Sequence, residues 1–278
     1  IGNVTEAAII AIDGAPVGSV VTNGAITNVY NQQVNNGTAL NKFKDFSVDN
    51  GHVTNLQLDA YGNFKAADRQ INLVTNKINI DGVVNAFKDG KIGGDIYFFS
   101  SNGMAVGSTG VINVGRLTIG TSAHAAEEIY KDYASYNAKT AAQKNEFLIT
   151  DRETFEVDGK TYYKEKINDG NIKVDGVVNS IGNIILSAKE VTVGADASLN
   201  AGASFKNDGE VSSGATAEDY RSQIINLTGV NKADTAVATS SGDIVLFGKN
   251  NVGFSGDAVT NGGNFDVYSE ATISFTGT

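Results

Sequence analysis

The pentapeptide Asp-Gly-Val-Val-Asn occurs twice, at 81–85 and 175–179. Each copy leads to a glycine, an Asp or Asn, and an apolar run opening on Ile: Gly94-Asp95-Ile96 after the first and Gly182-Asn183-Ile184 after the second. Gly242-Asp243-Ile244 opens a third run of this kind and Gly263-Asn264-Phe265 a looser fourth. A second short apolar stretch follows the first three, at Met104-Ala105-Val106-Gly107, Val191-Thr192-Val193-Gly194 and Val252-Gly253-Phe254. Strand, corner, strand, corner, at roughly 20 residues per circuit, is the pattern of a parallel β-helix, in which each coil stacks on the last and buries alternate side chains. The chain has 32 Gly and 1 Pro, and its aliphatics are rich in Val and Ile, which suits many short strands joined by tight corners. Asn or Asp beside a corner glycine satisfies the turn's own backbone groups, and Asn side chains at equivalent corners are expected to stack into ladders.

The segment 123–171 leaves this rhythm. Its first half is Ala-rich, with Ile129, Tyr133 and Tyr136 at helical spacing, and Glu127 stands four residues before Lys131 in the favourable order for a helix pair. Thr140 with Gln143 reads as a capping box opening a further short helix. Asp158-Gly159 between Phe155-Glu156-Val157 and Thr161-Tyr162-Tyr163 predicts a β-hairpin with a two-residue turn. The block is too short for a core of its own and is expected to pack on the coil's flank as an extra-helical insertion within one domain spanning 1–278. A smaller excursion is expected over 214–227. Residues 1–39 are expected to form an N-terminal cap, because an uncovered coil end offers unpaired edges.

The formal net charge of −10 argues against a nucleic-acid partner and against electrostatic attachment to anionic lipid. No apolar run approaches the ~20 residues of a membrane span, so membrane insertion is not expected. The chain opens on Ile1 without a signal-peptide pattern and reads as the interior of a longer precursor whose targeting segment has been removed. It has no Cys, which suits a protein that crosses an oxidising compartment unfolded.

Catalytic patterns are missing. His52 and His124 are far apart, in neither a zinc-binding nor a triad context, and no phosphate-binding or dinucleotide fingerprint occurs. Some β-helices act on polysaccharides through acids gathered with Arg or Lys on one face. Here Asp81 and Asp175 sit beside glycines as turn residues, and Arg69, Arg116, Arg152 and Arg221 are scattered. The expectation is a non-enzyme with no cofactor and no metal. An alternative is a host- or glycan-binding module in which Tyr130, Tyr133, Tyr136, Tyr162 and Tyr163 make contacts; the competing expectation is that these rings glue the insertion to the coil.

The block 35–58, NNGTALNKFKDFSVDNGHVTNLQL, resembles the opening block of the two-partner secretion domain of filamentous-haemagglutinin-like exoproteins (TpsA). The pattern there is an Asn and two Phe before a Val-x-x-Gly corner, here Asn41, Phe43, Phe46, Val48 and Gly51. The block 69–122 is similar to the family's second block, with Ser100-Ser101-Asn102-Gly103-Met104 standing where the family has Asn-Pro-Asn-Gly-Ile. The Pro and first Asn are absent, so Asn102, Gly103 and the apolar Met104 carry over. The wording of this motif looks closest to the leukotoxin-like filamentous adhesins. The resemblance implies a right-handed parallel β-helix that is secreted to the bacterial surface through the periplasm as a monomer. It also implies that the POTRA domains of a dedicated outer-membrane TpsB transporter recognise the unfolded chain, and that the first coils nucleate a longer adhesin or toxin. Asn41, Phe43, Phe46, Asn102, Gly103 and Met104 would then be a recognition and folding motif.

Overall fold

Runs of Val, Ile and aromatic residues punctuated by glycine form short strands, and in the computed structural model, which describes residues 8–203 and 242–278, most of them pair in parallel. The strands occupy three faces in rotation. The first face stacks the leading part of Thr38–Val48, then Arg69–Val74, Asp95–Phe99, Arg116–Gly120, the leading parts of Ile184–Val193 and Ile244–Phe254, and Phe265–Ser269. The second stacks the end of Thr38–Val48, Ile78–Ile80, Met104–Val106, Ile172–Val174, the ends of the same two long strands, and Thr272–Phe275. The third stacks Ile26–Tyr30, Val53–Gln57, Val83–Lys88, Val111–Val114, Val177–Ser180, Ser198–Ala201 and Asp257–Val259. Each strand therefore pairs with its counterpart one circuit on rather than with its neighbour in sequence. The chain is all-β, with parallel sheets wound in a β-helix-like manner. Three long strands pass the corner between the first and second faces unbroken, so these faces merge into one 13-stranded sheet among the described residues, beside a 9-stranded one.

The register explains the repeats. Val83, Val111 and Val177 are ladder partners, so the two pentapeptides lie two circuits apart, with Gly110-Val111-Ile112-Asn113 between them. Ile96, Leu117, Ile184, Ile244 and Phe265 follow one another on the first face, which puts the preceding glycines on one corner. A Cβ on Gly115, Gly242 or Gly263 would collide with the glycine backbone of the circuit before it, so close stacking excludes side chains there.

Alternate residues of all three faces meet in one interior, with Phe43, Phe46, Leu56, Ile80 and Phe98 fully buried. On the third face Val84 and Ala86 join that interior, whereas Val83 and Phe87 belong to a separate cluster on the opposite side. Asn85 shares the side of Val83 and Phe87, and there the amides of Asn55, Asn85, Asn113, Asn179 and Asn200 form a ladder. Each Nδ2 donates to the Oδ1 before it, at 3.3, 3.0, 2.9 and 3.1 Å in succession. This corrects the expected position: the ladder runs through strands and not corners. Strand register superimposes equivalent residues, while corners change length from circuit to circuit. The ladder spacings are 30, 28, 66 and 21 residues. The expected period thus suits the later circuits, the earlier ones are longer, and the insertion accounts for the 66.

The insertion leaves the coil between Arg116–Gly120 and Ile172–Val174 as three helices, α1 (Ala123–Lys131), α2 (Tyr133–Asn137) and α3 (Ala141–Phe147), followed by the hairpin Thr150–Val157 and Lys160–Ile167. The Thr140–Gln143 capping box opens α3 as expected. Positive φ at Asp158 and Gly159 makes the hairpin turn, and its arms extend beyond the triplets read from sequence. Ala125, Ala126, Ile129, Tyr136 and Leu148 pack on the outer side of the first face against Leu40, Ile71, Tyr97 and Phe99. The expected Glu127–Lys131 pair does not form: Glu127 reaches Lys42 on the coil at 2.6 Å, and Lys131 lies 3.7 Å from Glu128. Asp132 ends α1 and caps α2, so Tyr133 and Tyr136 lie on a new helix.

Toward the N-terminus, Ala8–Ala11 and Gln33–Asn35 pair antiparallel with Thr38–Val48, and Val20–Asn23 pairs antiparallel with Ile26–Tyr30. Ile26–Tyr30, within the segment expected to cap, already pairs in parallel with Val53–Gln57. The excursion expected over 214–227 lies outside the described residues.

Candidate functional site in the first coils

Asn41 lies between Leu40 and Lys42 on the inward side of its strand, the side that carries Ala39 and Phe43. Its ladder partner one circuit on is Asn72, and the next is Phe98. Asn41, Asn72 and Gln70 are fully buried and Asn31 nearly so. Their amides form a chain. Asn41 Oδ1 accepts from the backbone N–H of Gln32 at 2.8 Å, and Asn41 Nδ2 donates to Asn72 Oδ1 at 3.3 Å. Asn72 Nδ2 donates to Gln70 Oε1 at 3.3 Å, Gln70 Nε2 to Asn31 Oδ1 at 2.8 Å, and Asn31 Nδ2 to the carbonyls of Leu58 and Lys65 at 3.2 and 2.8 Å. Gln32 closes on Lys42 from both ends of its amide, at 2.9 and 3.2 Å. A buried amide left unpaired costs about 1–3 kcal/mol, so this network disfavours packings that break it. Beside it, the Phe46 ring meets Phe43 and Phe98 edge-on, each at 5.3 Å.

The Asn102-Gly103 corner is a staple between circuits. Ser100 Oγ donates to the Asn76 carbonyl at 2.8 Å and accepts from the Asn102 N–H at 3.2 Å, while Asn102 Nδ2 donates to the Thr75 carbonyl at 2.8 Å. The Gly103 carbonyl accepts from Ile78 N–H at 3.1 Å, and Met104 N–H donates to the Asn171 carbonyl at 3.0 Å. Gly103 has φ +82°, and a Cβ there would strike the Asn171 backbone. Met104 enters the interior.

The structure thus joins Phe43 and Phe46 to Phe98, on the strand that leads to the corner, and sets Asn41 within the amide chain. It does not bring Asn102 against Asn41. Of the six motif residues, only Asn102 is exposed. Asn31, Gln32, Gln70 and Asn72 were not singled out in the sequence. The available signal was Leu40-Asn41-Lys42-Phe43 against Ile71-Asn72-Leu73-Val74, the same pattern displaced by 31 residues.

Other sequence candidates are dispersed. His52 is buried, and the His124 ring packs edge-on to Phe147 at 6.3 Å. Asp81 and Asp175 occupy corners, their N–H groups donating to Val48 and Val106 carbonyls at 2.7 Å each. Among the described residues no cluster of His, Cys, Asp and Glu could hold a metal, and no helix is long and apolar enough to cross a membrane. The tyrosines divide: Tyr136 is buried, with Tyr130 and Tyr133 packed against its cluster, whereas Tyr162 and Tyr163 are exposed on the hairpin.

No family model matches the chain, and no curated protein does. Among solved structures it is similar to a crystal structure of filamentous hemagglutinin secretion domain, with a TM-score of 0.44 and 15% identity over 96% of this chain and 94% of that one.

Proposed function

We propose that this chain is a non-enzymatic secretion and folding-nucleation module of a large exoprotein of the two-partner type, exported through the periplasm to the cell surface. In this reading a TpsB-type transporter captures it through POTRA domains before it folds. The winding is right-handed, the hand that strand-to-strand crossovers in parallel sheets take. The leukotoxin-like adhesin branch is the finer assignment, carried by Ser100-Ser101-Asn102-Gly103-Met104 with the stretch VGSTGVINVG at 106–115.

One observation carries the reading: five of the six motif residues are buried in the folded protein, in the interior or at a corner between coils. Side chains in those places offer nothing to a partner of the folded coil. They are available to a partner only while the chain is extended, and afterwards they order the first coils. A module that is recognised unfolded and folds only after that recognition has that division of labour.

The test is a pull-down with POTRA domains, using the chain in urea and after refolding. The unfolded chain is expected to bind, and the folded chain to bind at least about ten-fold more weakly. Asn102→Ala with Gly103→Ala should reduce secretion through the transporter. Equal binding of both states, or unimpaired export and folding of the double variant, removes the proposal.

A further inference from the structure

At the glycine corner of the first face a cleft of about 490 Å³ opens, bared by Gly94, Gly115 and Gly182 on one wall and flanked by Tyr133 on another. Asp95 stands between Arg69 and Arg116 in the register of three successive circuits. Neither guanidinium makes an ion pair with it. Arg69 is held aside, with Nε donating to Thr38 Oγ1 at 3.0 Å, a terminal nitrogen donating to the Asn36 carbonyl at 3.2 Å, and its guanidinium over the Tyr133 ring at 3.8 Å. Arg116 is exposed, and its guanidinium has no hydrogen-bond or ion-pair partner among the described residues. Asp95 Oδ2 accepts from the Tyr97 hydroxyl at 3.2 Å.

We propose that this cleft binds a carboxylated sugar, a uronic-acid unit of an acidic polysaccharide, with the free Arg116 fork taking the carboxylate. In a chain of net charge −10, Arg69, Lys91 and Arg116 gather around one opening together with Lys88, which is paired with Asp68 at 3.2 Å and lies 3.8 Å from Asp89. A planar guanidinium matches a carboxylate with two parallel N–H donors. Asp68, Asp89 and Asp95 border the same space. They would repel a bare anion or a fatty acid, but they accept hydrogen bonds from hydroxyls. A ligand that satisfies both sets carries several hydroxyls and one negative group. The volume falls within the range of sites that hold small organic ligands and is far larger than an inorganic anion needs.

Protonation of Asp95 tunes the site. Desolvation raises its carboxyl from 3.8 to about 6, against the lowering influence of Arg116, the Tyr97 hydroxyl and Arg69. The other titratable groups facing it are Tyr133 and Tyr136 on α2; burial raises Tyr97 and Tyr136 above the usual tyrosine range, so both stay neutral. Protonated Asp95 does not repel a carboxylate, so binding tightens as pH falls through the carboxyl's range while the sugar acid stays ionised.

Calorimetric titration with trigalacturonate, and with its methyl ester as the uncharged probe, tests this on the whole chain. Saturable binding is expected at about pH 5, weakened at least about ten-fold by esterification and by Arg116→Gln, and unaffected by Arg152→Gln on the hairpin. It should weaken at about pH 7.5, and Asp95→Asn should abolish that pH dependence. Thermal melts of each variant show that the fold is retained. Equal affinity for acid and ester, an Arg116→Gln variant that binds normally while folded, or no binding up to about 10 mM overturns the proposal.

Discussion

Gly103 and Asn102 are adjacent, yet they stabilise the coil for different reasons. Gly103→Ala forces a Cβ into the left-handed region and into the Asn171 backbone, and should cost about 2 kcal/mol or more. Asn102→Ala removes one exposed hydrogen bond to the Thr75 carbonyl, worth about 1 kcal/mol. Asn41→Ala leaves the half-buried Gln32 N–H and the fully buried Asn72 Oδ1 without a partner and should cost about 2–3 kcal/mol. Urea unfolding should rank Asn102→Ala well below the other two, and an inverted order would mean that the corner is held by its side chain. Asp95 gives a pH signature. Its folded-state carboxyl lies above the unfolded value, so its contribution is fully present below 3.8 and is lost as pH rises through about 6. Asp95→Asn should therefore raise the melting temperature at neutral pH more than at about pH 4, which paired thermal melts check. Asn41 was legible from its block, but its partner Asn72 was not. The partner depends on how many residues the first circuit takes, and circuits that range from 30 residues to 21 leave no fixed period from which to read it.

At the level of elements, the insertion divides into a part that covers the coil and a part that projects from it. α1 brings Ile129 to full burial over Leu40, Ile71, Tyr97 and Phe99, and Asn35 Nδ2 donates to the Tyr130 carbonyl at 3.0 Å. α3 is tied down by Lys249, 2.9 Å from Glu146. The hairpin beyond residue 152 leaves Phe155, Val157, Tyr162 and Tyr163 exposed. Ile129→Ala should cost about 2–4 kcal/mol by leaving a cavity under the helices. Replacing 154–163 by a two-residue turn should shift the urea midpoint little, because Asp151 and Asn168, which bond to the helix start and to the Thr121 carbonyl, are kept. A large loss on trimming would show that the hairpin packs on the coil in solution. The hairpin turn and the α3 cap were readable because both are set by residues within four positions of one another. The break at Asp132 was not, since the tyrosine spacing continues smoothly across it and the tertiary contact of Glu127 with Lys42 replaces the local pair.

Across the whole molecule the interior changes character from one end to the other. One inward position of the first face reads Asn41, Asn72, Phe98, Ile119, Leu186, Leu246, Val267 through successive circuits. Aliphatic layers tolerate alternative pairings, whereas a closed amide chain admits one register, because any slip leaves buried donors without acceptors. Register is therefore fixed in the first coils, and later circuits can copy it by stacking on them, as expected of a structure whose units contact only their neighbours. Two truncations separate these roles. A chain ending at Ser255 loses Asp257–Val259, Phe265–Ser269 and Thr272–Phe275, which uncovers Phe254 but leaves every amide of the network paired. It should still unfold cooperatively in urea, at a lower midpoint. A chain beginning at Arg69 loses Asn31, Asn41, Phe43 and Phe46 and leaves Gln70 Nε2 and Asn72 Oδ1 without their partners on an apolar layer. It should show no cooperative transition by circular dichroism, although it is missing other circuits only at one end. If both truncated chains unfold with comparable cooperativity, the first coils hold no privileged information and the register is set along the entire length of the column.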